Sequence, residues 1–227
     1  MLKLDTLIYW EEVKQAVTKF SNGKSPGLND IPPDTFKALD NQNLLTLLGF
    51  LNSYWKEETD FDEWHEGQLV PVPKSEDLSD PNEWREVTLM DIGSKIFSSI
   101  MCTRLFKIIK KHGVKYQFSS TPGLGCQDGS FTIKMMLHLR YNQNLLTFVM
   151  FANLVKEFDT SNQKLMVEIL KKYGCPPKLC SAIRRMHTDN NARLILGKIN
   201  ISIPFEVGVK QGESVAPVLF LFIMTAF

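Results

Sequence analysis

The stretch Leu146-Thr-Phe-Val-Met-Phe-Ala152 limits the folds open to this chain more than any other. Its apolar and β-prone side chains fall on both faces of an extended strand, so neither face suits water. Such a run reads as a central strand covered on both sides. It ends at a polar residue, Asn153, and the chain turns at Thr160 into an amphipathic segment. Thr160 and Gln163 make a capping box there, ahead of Met166, Ile169, Leu170 and Tyr173 at helical spacing. Strand and helix of this kind in one chain imply an α+β, helix-rich fold.

The remaining periodicities fill in that outline. Val13, Ala16, Val17 and Phe20 share one face of a helix from Trp10 to Phe20, with Gly23 as its stop. Lys24 to Pro33 is a turn-rich loop, and Asn41 to Lys56 is a second helix. Gln68 to Pro73 is a short strand whose alternating prolines predict an edge, and Trp84 to Leu89 is another strand. Ile92 to His112 is a long helix with Ile96, Phe97, Ile100, Leu105 and Ile109 inward, closed by Gly113. Helices are expected over Ser130 to Tyr141, from Pro176-Pro177 to about His187, and from Ser214 onward. Arg193 to Leu196 and Ile201 to Val207 form a hairpin across Gly197 to Asn200.

Charge distribution says more than the formal net charge of +1. Acids dominate from Glu57 to Asp91, whereas Ile92 to Gln127 holds no acid but gathers Lys95, Arg104, Lys107, Lys110, Lys111 and Lys115. A basic helix can follow a phosphate backbone, or be a solvated face. The four cysteines lack C-x-x-C spacing, so structural zinc is not expected and reduced thiols are. The N-terminus carries no basic-then-apolar signal pattern. The longest apolar run, Val215 to Phe227, falls short of the roughly twenty residues that span a bilayer. An intracellular protein of nucleus or cytoplasm, with no membrane partner, is expected.

Several motifs occur in a telling order. Lys24-Ser-Pro-Gly27 through Asp30-Ile31-Pro32 comes first, then Val70-Pro-Val-Pro73-Lys74 and Trp84-Arg85. Gln117-Phe118 precedes a glycine-rich loop, the apolar strand ends at Asn153, and Gly208-Val-Lys-Gln211-Gly212 leads to Pro217-Val-Leu-Phe220. This set resembles the reverse transcriptases of non-LTR retrotransposons and group II introns. The resemblance implies an N-terminal helical segment over 1–60, fingers over 61–145 and a partial palm over 146–227. It implies RNA-templated DNA synthesis by two-metal phosphoryl transfer, with Mg2+ as cofactor and deoxynucleotides and an RNA/DNA primer–template as partners. Lys74 and Arg85 would grip the triphosphate, and Phe158 would crowd the ribose 2′-hydroxyl, although a core phenylalanine is the plainer reading. Gln211 and Gly212 would flank the nucleotide, or simply form a glycine turn opening a helix. Lys107, Lys110, Lys111 and Gln117 would meet nucleic acid.

The departures are equally specific. Asn153 stands where the family carries a magnesium-binding aspartate, and its amide presents no charge. Losing one ligand charge at such a site costs on the order of 4 kcal/mol of transition-state stabilisation, about a thousandfold in rate. Glu157 replaces a usual alanine near the triphosphate, and Glu86 replaces a usual proline, where it could pair with Arg85. Asp159 lies past the turn and is not a substitute ligand. No paired-aspartate hairpin is present in the sequence, so no stable metal is expected and the palm is read as truncated. The apolar C-terminal helix, from Val215 to Phe227, is then expected to stay partly wet and to favour self-association, each exposed side chain forfeiting roughly 1.5–3 kcal/mol. A reverse-transcriptase domain inactive by itself is the first reading. A non-catalytic nucleic-acid-binding module and a poorly folded remnant are the others.

Overall fold

The computed structural model describes residues 4–74, 78–80, 83–112, 116–154, 156, 158–210 and 212–226. Its elements run α1 (Trp10–Thr18), α2 (Pro33–Lys37), α3 (Asn41–Trp55), α4 (Asp62–His65), β1 (Glu66–Pro73) and β2 (Trp84–Met90). They continue with α5 (Ile92–His112), α6 (Cys126–Asn142), α7 (Gln163–Lys172), α8 (Pro177–His187), β3 (Asn191–Leu196), β4 (Ile199–Pro204) and α9 (Ala216–Ala226). The fold is α+β: helices around one four-stranded sheet of order β2-β1-β3-β4.

Helix α5 is the axle. Its inward residues Ile96, Phe97, Ile100, Leu105 and Ile109 are all buried, and Met101 and Ile108 join them. α1 packs on α5, and so does α9. Ser94, Ser98 and Arg104 interrupt the apolar pattern, and Arg104 is the charged one among them, at 2% exposure. Its guanidinium reaches Glu12 of α1 and the carbonyls of Leu4, Thr6 and Leu7, and lies 4.9 Å from the Trp55 ring centroid. Arg104 and the half-buried Lys95 therefore leave the basic stripe that the sequence suggests, while Lys107, Lys110 and Lys111 stay exposed.

The sheet corrects the edge assignment of β1. This strand is internal, antiparallel to β2 along its length and parallel to β3 from Glu66 to Leu69. Pro71 and Pro73 lie beyond the β3 pairing, where β1 has a single described neighbour, so their missing N–H groups break no ladder on that side. The hairpin β3–β4 turns at Gly197, tighter than expected, and pairs Leu196 with Ile199. α2 and α4 are too short to leave a periodic signal.

The largest correction concerns residues 146–152. They form no strand, and Phe148, Met150 and Phe151 are 88%, 89% and 85% exposed. A doubly covered strand needs hydrogen-bonded neighbours, and the four described strands pair only with one another. α6, ahead of this segment, buries none of its residues. The capping box also gives way. Asn162 caps α7 through its side chain to the Leu165 amide at 3.0 Å, while Gln163 donates to the Gly208 carbonyl and Thr160 to Lys156.

The C-terminal helix behaves opposite to expectation. Val215, Val218, Leu219, Leu221 and Phe222 are at most 4% exposed, packed among α5 and α7, and only Phe220, Ile223 and Met224 are half-buried. Phe227 lies outside the described residues. α9 is thus core, which removes the argument for self-association through it; the large apolar surface in water lies on α6 and the segment after it.

Candidate functional site

Two glycines build the centre of the candidate site. Gly208 has φ +83, and a Cβ there would sit 2.7 Å from the carbonyl oxygens of both Phe158 and Asp159. Gly212 has φ +112, and its Cβ would sit 2.7 Å from the Thr88 carbonyl oxygen of β2. A side chain at either position meets backbone that cannot swing away, so both approaches require glycine. Between them the chain is tied down. Gly208 N–H donates to Ser161 O and Val209 N–H to Phe158 O, each at 2.8 Å, and Glu213 N–H closes on Lys210 O at 3.1 Å. The 208–213 turn is thus wedged between the 158–161 segment and β2.

A second contact of this kind lies at the end of β2. A Cβ on Gly27 would stand 2.6 Å from the Met90 carbonyl carbon, so the Lys24-to-Pro33 loop closes onto the strand there. Asn29 Nδ2 donates to the Asp91 carboxylate, whose other oxygen accepts the Gly93 amide at 2.6 Å and caps α5. Burial raises the Asp91 carboxyl above its usual value against the opposing amide hydrogen bonds of Gly93 and Ser94.

The residues singled out in the sequence fall into two groups. Phe158 is half-buried, 5.2 Å from the Phe220 ring, so it belongs to the core margin as well as to the turn's border. Arg85 is exposed on β2 opposite Val72, and Lys74 continues the ladder through its amide to Glu83 O at 2.7 Å. That register puts Lys74 and Arg85 on one face of the β1–β2 hairpin. Glu86, next along the strand, points to the other face, and no described ion pair joins it to Arg85. Gln117 is half-buried and donates to Ser119 O at 3.3 Å. Lys107, Lys110 and Lys111 line the exposed end of α5. Gln211, Glu157, Lys115 and Gly113 lie outside the described residues.

Asn153 is not at the tip of a strand. It lies on an exposed coil, and among the described residues no three His, Cys, Asp or Glu side chains converge as metal ligands. The described donors do not fit a pair of divalent cations.

Four polar residues beneath the turn were not legible from the residues: Lys210, Glu213, Asn190 and His187, each at most 3% exposed. Charged side chains ordinarily read as surface, and the flanking glycines were the sole hint of a tight turn here.

No protein-family model matches the chain. It is 26% identical over 220 residues to the Transposon TX1 uncharacterized 149 kDa protein of Xenopus laevis, covering 92% of this chain and 16% of that protein. It is 23% identical over 159 residues to the Retrovirus-related Pol polyprotein from type-1 retrotransposable element R2 of Popillia japonica, covering 69% and 22%. Over 215 residues it is 20% identical to the Probable RNA-directed DNA polymerase from transposon BS of Drosophila melanogaster, covering 92% and 24%. All three are named as proteins of transposons or retrotransposable elements. The chain carries a reverse-transcriptase-like domain. This domain spans between 16% and 24% of the length of those three relatives. Reverse transcriptases as a family use a divalent metal and act on nucleic-acid templates and primers. No described helix of the domain is long and apolar enough to cross a membrane.

Proposed function

We propose that this chain is a reverse-transcriptase domain of retroelement descent, built as fingers and part of a palm, that keeps substrate-holding parts and does not join nucleotides by itself. One observation carries the reading: the Gly208–Glu213 turn is wedged between the Phe158 segment and β2, the strand that bears Arg85. Three separated stretches of the family resemblance thereby meet in space. In this reading Gln211 and Gly212 border the sugar and base of a deoxynucleoside triphosphate, with Phe158 beside the ribose. Arg85 and Lys74 reach the phosphates from the hairpin, the guanidinium as a fork and the ammonium as a point charge. Lys107, Lys110, Lys111 and Gln117 follow the backbone of a primer–template.

Asn153 supports the absence of catalysis. A neutral amide cannot offer the anionic oxygen that a divalent cation prefers. In this reading Mg2+ is the family's cofactor and Asn153 does not hold it.

Primer extension with magnesium and deoxynucleotides tests the catalytic half, and the expected result is no product from the chain or from Asn153→Asp. Clear extension refutes it. Primer–template affinity tests the binding half. It should fall steeply as salt rises, with a slope reduced by roughly one unit for each of Lys107, Lys110 and Lys111 replaced by Gln. Salt-independent affinity refutes that half.

A further inference from the structure

Lys210 and Glu213 are the first and fourth residues of the turn closed by the 3.1 Å Glu213 N–H to Lys210 O hydrogen bond. The third residue, Gly212, has φ +112, in the region a type II turn requires at that place. Both corner side chains point inward, at 1% and 3% exposure, although each carries a charge. A buried charge needs a counter-charge and hydrogen bonds to be tolerated. Lys210 Nζ donates to Asn190 Oδ1 at 2.6 Å and reaches Trp64 O at 3.5 Å. Asn190 spends its own Nδ2 on Met186 O at 2.8 Å, which orients its oxygen toward the lysine. Burial lowers the Lys210 ammonium pKa, and the Glu213 charge opposes that loss.

Glu213 is the complementary leg. Its Oε2 lies 3.5 Å from His187 Nε2, and His187 Nδ1 is committed to Ile183 O at 2.8 Å. Neither carboxylate oxygen has a hydrogen-bond partner among the described residues, and the Lys210 ammonium at the other corner of the turn is the buried group of opposite charge on which Glu213 acts. The two legs flank Gly212, which the Thr88 carbonyl of β2 approaches closely.

We infer that Lys210 and Glu213 are positioning residues: two buried corner side chains of opposite charge that hold the Lys210-to-Glu213 turn, with Gly212 at its third position, in place for a deoxynucleoside triphosphate, with Asn190 and His187 at and beyond the end of α8 as their inward partners. The inference rests on the proposed function for its ligand, and on the closed turn, the burial and the two inward contacts for the charges. Neutralising one leg leaves the other charge buried and uncompensated, which frees the turn. Neutralising both removes the conflict.

The test uses the full chain and the variants Lys210→Met, Glu213→Gln, the double variant and the conservative Lys210→Arg. Amide hydrogen exchange follows a peptide covering 206–214, with a peptide covering 96–109 of α5 as internal reference, and calorimetry follows binding of dTTP with magnesium chloride. Each neutralising single variant should speed exchange across the turn by about tenfold or more and weaken dTTP by a similar factor, as loss of one partner of a buried pair implies. The double variant and Lys210→Arg should return both readouts to within about threefold of the parent, the double through strong non-additivity. Unchanged exchange in the singles, or additive losses in the double, overturns the charge pair. Opened turns that bind dTTP as tightly as the parent overturn the positioning role while leaving the proposed function standing. A parent chain that shows the exchange pattern but binds no dTTP overturns the proposed function and leaves the pair intact. Should a single variant fail to fold, the double decides, and its loss of dTTP affinity overturns the inference.

Discussion

The guanidinium of Arg104 grips the carboxylate of Glu12 with two hydrogen bonds, of 2.9 and 2.7 Å, at the heart of the helical core. Three further donations to the carbonyls of Leu4, Thr6 and Leu7 use all five of the arginine N–H donors. The arrangement ties the N-terminal segment and α1 to α5. Burial alone would raise the Glu12 carboxyl, but the Arg104 hydrogen bonds, the Tyr9 amide and the arginine charge outweigh it and hold it below the usual carboxylate value. Glu12→Gln should cost roughly 3–5 kcal/mol, because it leaves a buried guanidinium without its counter-charge. Replacing Glu12 and Arg104 together with Leu should cost much less than the sum. A depressed carboxyl stabilises the fold above its ordinary pKa of 4.5 and loses that contribution as pH falls through the lower folded value. Urea midpoints measured across that acid range should drop for the parent and flatten for the double variant.

Glycine substitutions separate close approach from backbone strain. Gly208→Ala and Gly212→Ala add a Cβ within 2.7 Å of carbonyl oxygens, on top of a positive φ. Gly23 and Gly174, with φ +66 and +79, have nothing within 4 Å of such a Cβ. Alanine at Gly23 or Gly174 should cost about 1 kcal/mol, the left-handed penalty alone. At Gly208 or Gly212 the loss should exceed that by roughly 1–3 kcal/mol of overpacking. Equal losses at all four, read from denaturant midpoints, would remove the argument that the 208–213 turn is wedged.

Tyr54 gives a test at the alkaline end. It is 1% exposed, 4.6 Å from the Trp64 ring and 4.9 Å from Phe97, with Arg185 stacked 4.0 Å above it. Burial pushes its phenol up from 10.0 to about 12, with the Arg185 charge pulling the other way. A raised acid pKa stabilises the fold below pH 10 and is lost as pH climbs toward 12. The parent should show a tyrosinate absorbance step near pH 12 that Tyr54→Phe abolishes, and a fall in stability over the same interval that the variant lacks. A Tyr54 step at pH 10 would contradict the burial.

Residues 146–152 offer the sharpest comparison between pattern and structure. With Phe148 and Phe151 almost fully in water, Phe148→Ser and Phe151→Ser should each change stability by less than about 0.5 kcal/mol. A doubly covered strand would lose about 3–5 kcal/mol at either position. Thermal or denaturant unfolding of the two variants distinguishes the outcomes directly.

The elements most legible in the sequence are those whose own residues settle them. α5 runs over Ile92–His112 as its apolar spacing implies, α1, α3 and α8 stand close to their expected bounds, and the β3–β4 hairpin forms with its second strand starting two residues early. In each, local periodicity and a nearby Gly, Pro or cap coincide with the packing. The candidate site was partly legible, since Gly208, Gly212, Phe158 and Arg85 lie on or beside the same turn and strand. Its buried half was not, because nothing local distinguishes a buried Lys210 or Glu213 from an exposed one.

Helical periods, turn glycines and the ordered motifs of a reverse-transcriptase-like chain were therefore inherent in the residues, since these depend on short-range sterics and spacing. Whether an apolar stretch becomes core depended on partners far along the chain. α9 found α5 and α7 and went inside; residues 146–152 found no described strand and stayed in water. The same dependence put Arg104 against Glu12 and Lys210 against Asn190. A charge can be buried only where long-range packing brings its counter-charge or hydrogen-bond partner to meet it.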